Sequence, residues 1–289
     1  VCGEENRFRF AGKRGTTFAA GRKPMRPQLE PDPMTELPAR LARFAQALIA
    51  ARRTRSLLPS APQEGCATTA DSYAVQAEVA SALGASVTGW KVGFGPEGQA
   101  LAAPIFTTDM IGPGDAYRLG GDGRTVKAEA ELALRLGRDL PSRPGRPYTR
   151  DEILAATAQV LCGLELVATR FAQDTGVSFE DRLADNFAHG AYAAGDGVGD
   201  LAGLDLTQLA CTVRRDGAVV FDGPAAHAHG DPLVPAIAWA NGQCDRLGGL
   251  RAGQFITTGT LIAPITIDDA ATIEAQLTGI GAARLAVSR

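Results

Sequence analysis

The chain has 289 residues, 45% of them hydrophobic, which is enough apolar material for a sizeable core in one large domain or two small ones. A formal net charge of -3 and a sequence pI near 5.7 leave no basic surplus for a nucleic-acid backbone, so DNA and RNA are not expected partners. No run approaches the roughly 18 apolar residues of a membrane span, and the opening residues lack the apolar stretch of a secretory signal, so a soluble, cytoplasmic protein is expected.

Residues 1–33 hold seven Lys or Arg against four acidic residues and differ sharply in composition from the rest of the chain. An Arg-rich targeting arm is one reading. Glu4 and Glu5 spoil that pattern and favour an upstream extension before a start at Met34, poorly ordered and dispensable. A chain beginning at Met34 is expected to keep its melting temperature and oligomeric state, which thermal melting and sedimentation of the two forms check. The remaining residues, 34–289, read as a single domain with a helical part over 34–86 and a β-rich part over 87–289.

In "ELPARLARFAQALIAARRT", Leu37, Leu41, Phe44, Leu48 and Ala51 recur at spacings of three and four, the stripe of an amphipathic helix. "TTADSYAVQAEVASALG" predicts a second helix, capped by Thr69 or Asp71 and stopped at Gly84. From Val87 the texture changes to short runs punctuated by glycine. "VTGWKVGF", "TVKAEAELALRL", "LCGLELVATRF", "LACTVRRDGAVVFDG", "GQFITTG" and "ATIEAQLTGIGAARLAV" mostly read as strands, with a tight hairpin turn at Asp216-Gly217. Two further helices are predicted, "TRDEILAATAQVL" behind a capping box of Thr149 and Glu152, and "DPLVPAIAWANGQCDRLGG" closed by Gly248. "SFEDRLADN" predicts a shorter one, followed by a glycine-bearing turn into "AYAAGDGVG". A predominantly β core with helices packed on it is the result. The five cysteines are widely spaced and form no C-x-x-C pair, which fits reduced thiols.

Side chains alternate along a strand, so Glu129 and Glu131 in "KAEAELALRL" point the same way. Alone they could form the wet face of a half-buried strand. Glu165, in "GLELVA", has apolar neighbours on both strand faces, and a lone buried carboxylate costs several kcal/mol unless paired or metal-bound. Three carboxylates offering only oxygen ligands suit a hard divalent cation, Mg²⁺ or Mn²⁺. Lys91 is flanked on its own face by Gly89 and Gly93, which suggests open space around the ammonium; the alternative is a protective lysine on an edge strand. A desolvated lysine would have a lowered pKa and could transfer protons. Asp185, Asn186 and His189 cluster in "LADNFAHG", where helix-end capping is the blander explanation. His227 and His229 lack a third ligand, which makes zinc a weak reading. Thr257, Thr258 and Thr260 around Gly259 form a polar patch that could meet an anion.

The blocks "GWKVGF", "EAELALRLGRDL", "LELVATR", "LADNFAHGAYAAG", "AIAWANGQCDRLGG" and "LRAGQFITTGTLIAPITI" occur in this order from Gly89 onward, and "TADSYAVQ" precedes them. The set resembles the 2-keto-4-pentenoate hydratase and 4-oxalocrotonate decarboxylase family, part of the fumarylacetoacetate hydrolase superfamily. The resemblance implies an α+β fold with a mixed β-roll core, helices outside and an N-terminal helical segment. It also implies metal-binding glutamates at Glu129, Glu131 and Glu165, an active-site lysine at Lys91, and substrate-binding residues at Asp185, Asn186, His189 and Thr260. A divalent metal, homo-oligomeric assembly and association with a pathway partner enzyme are further implications. The sequence departs from the family at "APIFTTDM", where Ala103 and Pro104 replace an expected acidic residue, and at "GFGPEGQ" after Lys91.

The resemblance therefore predicts a metal-dependent hydratase that converts a 2-hydroxy-dienoate or 2-oxo-enoate of aromatic-compound catabolism to a 4-hydroxy-2-oxo acid. Decarboxylation of a 2-oxo-enedioate is the alternative enzyme activity. A catalytically inactive acid-binding homologue is the alternative outside enzymes.

Overall fold

The computed structural model describes residues 37–120, 125–173 and 176–289, so the expectations for residues 1–33 lie outside the described residues. Helix α1 (Ala39–Thr54) buries Leu41, Phe44, Leu48 and Ala51, the predicted stripe. Helix α2 (Thr69–Leu83) is capped one residue earlier than predicted: the Thr68 hydroxyl accepts from the Asp71 N–H. It ends as predicted at Gly84, in the left-handed region that glycine enters without steric cost.

The strands are β1 (Val87–Phe94), β2 (Ala100–Phe106), β3 (Ala116–Arg118) and β4 (Val126–Leu136). Helix α3 (Arg150–Ala156) leads into β5 (Thr157–Val167), and α4 (Phe179–Ala184) into β6 (His189–Val198). Next come β7 (Ala210–Arg215), β8 (Ala218–Pro224), α5 (Leu233–Gly242), β9 (Phe255–Thr260), β10 (Ile265–Ile267), β11 (Ala271–Leu277) and β12 (Gly281–Ser288).

Several boundaries correct the sequence expectation. The capping box of Thr149 and Glu152 is present, but α3 stops at Ala156, because "TAQVL" continues into a strand paired with β4 at Leu134↔Val160 and Arg135↔Gln159. Tertiary pairing and the β-branched Thr157 and Val160 outweigh the local helical pattern there. Helix α5 ends at Gly242 rather than near Gly248, since Gln243 turns away and its amide donates to the carbonyls of Leu140 and Ala240. "AYAAGDGVG" forms most of β6, which pairs with β5. Its glycines serve close approach: a Cβ at Gly195 would collide with the Ala282 carbonyl of β12. The hairpin at Asp216-Gly217 is as predicted, with both residues left-handed, the backbone that a tight β7–β8 turn demands.

The larger sheet has strand order β2-β1-β9-β4-β5-β6, with β10 also paired to β4; the smaller runs β3-β12-β11-β7-β8. Parallel pairs β1–β9 and β3–β12 sit among antiparallel ones, which makes both sheets mixed. Trp239 of α5 packs on Trp90 of β1 and Tyr73 of α2, ring centroids 6.0 and 6.1 Å apart, so this helix seals one side of the core. Helices α1 and α2 close a second cluster through Leu41, Phe44, Leu48, Val75 and Val79 against Phe106 and Phe171. Cys66, Cys162 and Cys211 are free and buried, as expected of reduced thiols.

Candidate metal centre and active site

The topology sets β4 at the centre of the larger sheet, between β9 and β5, and there the glutamates converge. Glu129 and Glu165 are directly opposed across β4 and β5, and Glu131 lies one pleat further on the same face. The ligand oxygens of all three lie within 4.8 Å of one another, and they form the only such group of three or more ligating side chains among the described residues. Glu131 and Glu165 are fully buried and Glu129 half-buried, which removes the solvent-face explanation for the first two.

Lys91 is not on an edge. Its strand lies between β2 and β9, and it pairs with Ala103 on one side and Thr257 on the other. Its Nζ donates to Glu165 Oε1 at 2.8 Å and to the Phe187 carbonyl at 3.4 Å. Only part of the space inferred from its flanking glycines exists: a Cβ at Gly93 would meet nothing, but one at Gly89 would run into the Phe255 ring. The expected lowering of the lysine pKa is also corrected. Burial alone would lower it, but the charges of Glu165, Glu129 and Glu131 together hold it above its ordinary value, so Lys91 is an ammonium.

The same charges act on the carboxyls. Burial pushes Glu131 well above the usual carboxylate range, and Glu165 and Glu129 push it further. Burial raises Glu129 against the opposing charge of Lys91. Burial would raise Glu165 too, but Lys91 and His189 outweigh it and hold it below that range. Ionised, three carboxylates against one ammonium carry a formal charge of -2, which a divalent cation balances. Glu131 Oε1 and Glu165 Oε2 are buried with no hydrogen-bond partner, a costly state that a bound cation would relieve. An all-oxygen set with two orphaned anionic atoms fits a hard divalent metal.

The other predicted residues take distinct places. His189 is fully buried, its Nδ1 3.0 Å from Glu165 Oε1, so it joins the carboxylate cluster from behind. Asp185, also buried, accepts from the Arg170 backbone N–H at 2.9 Å and faces the Arg170 guanidinium, so it is not brought to the glutamates. Asn186 donates to the Pro104 carbonyl at 3.0 Å. Pro104 is tolerated because β2 is an edge strand. Thr260 pairs with Glu131 across β9 and β4, and its hydroxyl donates to the Ile262 carbonyl.

Features that the sequence reading did not bring out complete the site. Asn186, Phe187 and Ala188 are all left-handed, an unusual run for residues other than glycine, and this strained turn delivers the Phe187 carbonyl to Lys91. Thr257, seen in the sequence only as part of a polar patch, donates its hydroxyl to Glu131 Oε2. Tyr192 stacks on Phe255, centroids 4.7 Å apart, beneath the glutamates, and its hydroxyl fills the space left by the missing side chain of Gly163. Gly163 is the cross-strand partner of Glu131, so Gly163→Ala should force the buried ring to move and cost about 1–3 kcal/mol of stability, measured by urea denaturation. The half-buried ring of His227 sits against the Thr258–Gly259 backbone, its Nε2 2.9 Å from the Thr258 carbonyl, and no third ligand joins it and His229 among the described residues.

A model of the fumarylacetoacetate hydrolase C-terminal domain matches residues 96–288. A 2-keto-4-pentenoate hydratase of Paraburkholderia phymatum is 32% identical over 249 residues, 82% of this chain and 92% of the relative. A 4-oxalocrotonate decarboxylase of Pseudomonas putida is 27% identical over 225 residues, 74% of this chain and 83% of that one. Among solved structures, the 4-oxalocrotonate decarboxylase from Pseudomonas putida G7, complexed with magnesium and adipate, superposes with a TM-score of 0.70. It covers 86% of this chain and 97% of its own at 21% identity, which establishes a common fold.

Proposed function

The chain belongs to the fumarylacetoacetate hydrolase family, and from that premise we propose that it is a metal-dependent hydratase of 2-hydroxy-dienoates or 2-oxo-enoates. The observation that carries this reading is the buried convergence of Glu129, Glu131 and Glu165 beside the ammonium of Lys91. Likeness to a 2-keto-4-pentenoate hydratase over 92% of its length supports the substrate class. Magnesium is the proposed metal, with manganese as the alternative; both suit oxygen ligands, and the related decarboxylase was solved with magnesium.

A divalent cation held by Glu129, Glu131 and Glu165 would supply Lewis-acid stabilisation of the negative charge that develops on the substrate's C2 oxygen. Lys91, held as an ammonium, gives a proton to the terminal alkene carbon and recovers one from the C2 hydroxyl, which turns the dienol into a 2-oxo-3-enoate. Water then adds across the conjugated double bond, its oxygen at C4 and a proton at C3, and the product is a 4-hydroxy-2-oxo acid. His189 orients Glu165, and Thr257 orients Glu131. Thr260 faces the substrate. Asp185 and Asn186, whose polar atoms contact Arg170 and Pro104, are positioning residues that hold the strained turn beneath Lys91. Homo-oligomeric assembly is part of the same proposal, checked by sedimentation.

Decarboxylation of a 2-oxo-enedioate remains the second reading, favoured by the 27% identity to a 4-oxalocrotonate decarboxylase. An ultraviolet assay of a small panel of 2-hydroxy-dienoates and 2-oxo-enedioates with Mg²⁺ or Mn²⁺, with products identified by mass, tests both. A product heavier than its substrate by one water supports the hydratase, loss of CO₂ supports the decarboxylase, and no turnover of any member sinks both.

A further inference from the structure

A second polar cavity, of about 370 Å³, lies away from the glutamate cluster, and none of Lys91, Glu129, Glu131 and Glu165 lines it. Its walls come from the last turn of α1, from β3, and from the segments that leave β5 and enter β6. Among the described residues, five arginines line it, Arg52, Arg53, Arg55, Arg118 and Arg170, with one carboxylate, Asp109.

Basic residues at the end of a helix ordinarily complement its dipole, and that accounts for Arg53, which donates to the Ala82 carbonyl at 2.7 Å. It does not account for Arg52. That side chain is 7% exposed and pairs with Asp109 through Nη1 at 3.2 Å, while its Nη2 is buried with no partner. Arg170, 11% exposed, faces it from the β5–β6 side and is itself paired with Asp185. Burial, and after it the Arg170 charge, lowers the Arg52 pKa to about 10. Asp109 and Asp185 balance the two buried guanidinium charges, but Arg52 Nη2 remains a buried donor without a partner beside a basic rim, and an oxyanion entering the cavity would satisfy it. Guanidinium forks match carboxylate and phosphate oxygens in pairs, and a cavity of this volume takes a small molecule rather than a chain.

We propose that this cavity is a binding site for a small oxyanion, a carboxylate or a phosphate, held by Arg52 and Arg170 at its floor and by Arg53 and Arg118 at its rim. The site is separate from the metal centre but mechanically joined to it. Arg170 donates to the His189 carbonyl, and the His189 ring contacts Glu165, so an anion that draws the Arg170 guanidinium pulls on a residue one step from the cluster.

Calorimetric titration of the full chain with inorganic phosphate and, separately, with malonate at constant ionic strength tests the assignment, on metal-stripped protein and again with Mg²⁺ present. The expected result is one anion per chain with either ligand or both, bound in both metal states; the preferred ligand distinguishes phosphate from dicarboxylate. Arg52→Gln should weaken binding at least about tenfold. Because that buried position also holds Asp109, the exposed double variant Arg53→Gln/Arg118→Gln provides a second reading and should weaken binding at least about fivefold. Binding that disappears on metal stripping belongs to the metal centre and overturns the proposal. So does binding unchanged in the double variant. A double variant with altered subunit number, from a wild type that binds neither anion, overturns it as well and makes the cluster an interface between copies.

Discussion

Replacing Glu131 by Gln should weaken Mg²⁺ or Mn²⁺ binding by at least about 100-fold while leaving the metal-stripped chain as stable as the wild type or more so. The substitution keeps the size of a side chain with no exposure and removes one of the three anionic ligands. Removing one partner from a buried ion pair is ordinarily destabilising, because a charge is left alone. Here the sign reverses, since Glu131 is surrounded by Glu129 and Glu165 and its carboxyl is already pushed well above the usual carboxylate range. Glutamine mimics the protonated acid, and its amide can still accept from Thr257. A group whose folded pKa is raised contributes stability that is full below its unfolded value of about 4.5 and is lost as pH rises through the folded one. The metal-stripped wild type should therefore lose stability relative to Glu131→Gln as pH climbs from the acid range, and saturating Mg²⁺ should reverse the order. Calorimetric titration and melting of both proteins, stripped and loaded, are the measurements. Equal metal affinities would show that the carboxylates hold no cation.

The carboxylate cluster was legible because strand alternation is a short-range rule with few exceptions: Glu129 and Glu131 had to share a face, and the apolar flanks of Glu165 required it to be buried. Nothing in the sequence specified that β4 and β5 would pair in the register that sets Glu129 against Glu165. Sheet order is a non-local property, which is also why an edge position for Lys91 stayed open until β9 was seen beside β1. The same limit explains the lost ends of α3 and α5. "TAQVL" suits a helix locally and a strand globally, and only pairing with β4 decides between them.

The residues that support the ligands were harder to read. Tyr192 and Gly163 form a lock between adjacent strands, and neither stands out in sequence from any other aromatic or glycine. The left-handed run at Asn186, Phe187 and Ala188 was hidden by a helical pattern that ends at Ala184, two residues before the backbone changes hand. An Asn at a helix end is a weak signal of left-handed backbone; three such residues in succession are not a pattern that composition reveals. The arginine cavity shows the same limit, since Arg52 and Arg170 are more than a hundred residues apart and each alone reads as a surface cation.

Lys91→Met should lower turnover at least about 100-fold, the scale of a lost general acid-base contribution, with the fold and metal site intact. Methionine retains most of the aliphatic stem, so the packing of a side chain 17% exposed changes little. The loss falls on charge and protons. Glu165 keeps the contact from His189, but the cluster loses the ammonium paired with Glu165, so the metal-stripped variant should melt below the wild type while divalent affinity holds or rises. A purely structural lysine would give a different result, because adding metal would then restore both stability and turnover. If Lys91 moves the proton, metal restores stability alone, and the defect stays in kcat with KM little changed. Lys91→Arg sharpens the test: it keeps the positive charge beside Glu165 but cannot release a proton near neutral pH, so it should preserve the melting temperature without recovering activity. Turnover within a few-fold of wild type in either variant would remove Lys91 from the proposed proton transfer and leave it as a counter-charge to the glutamates.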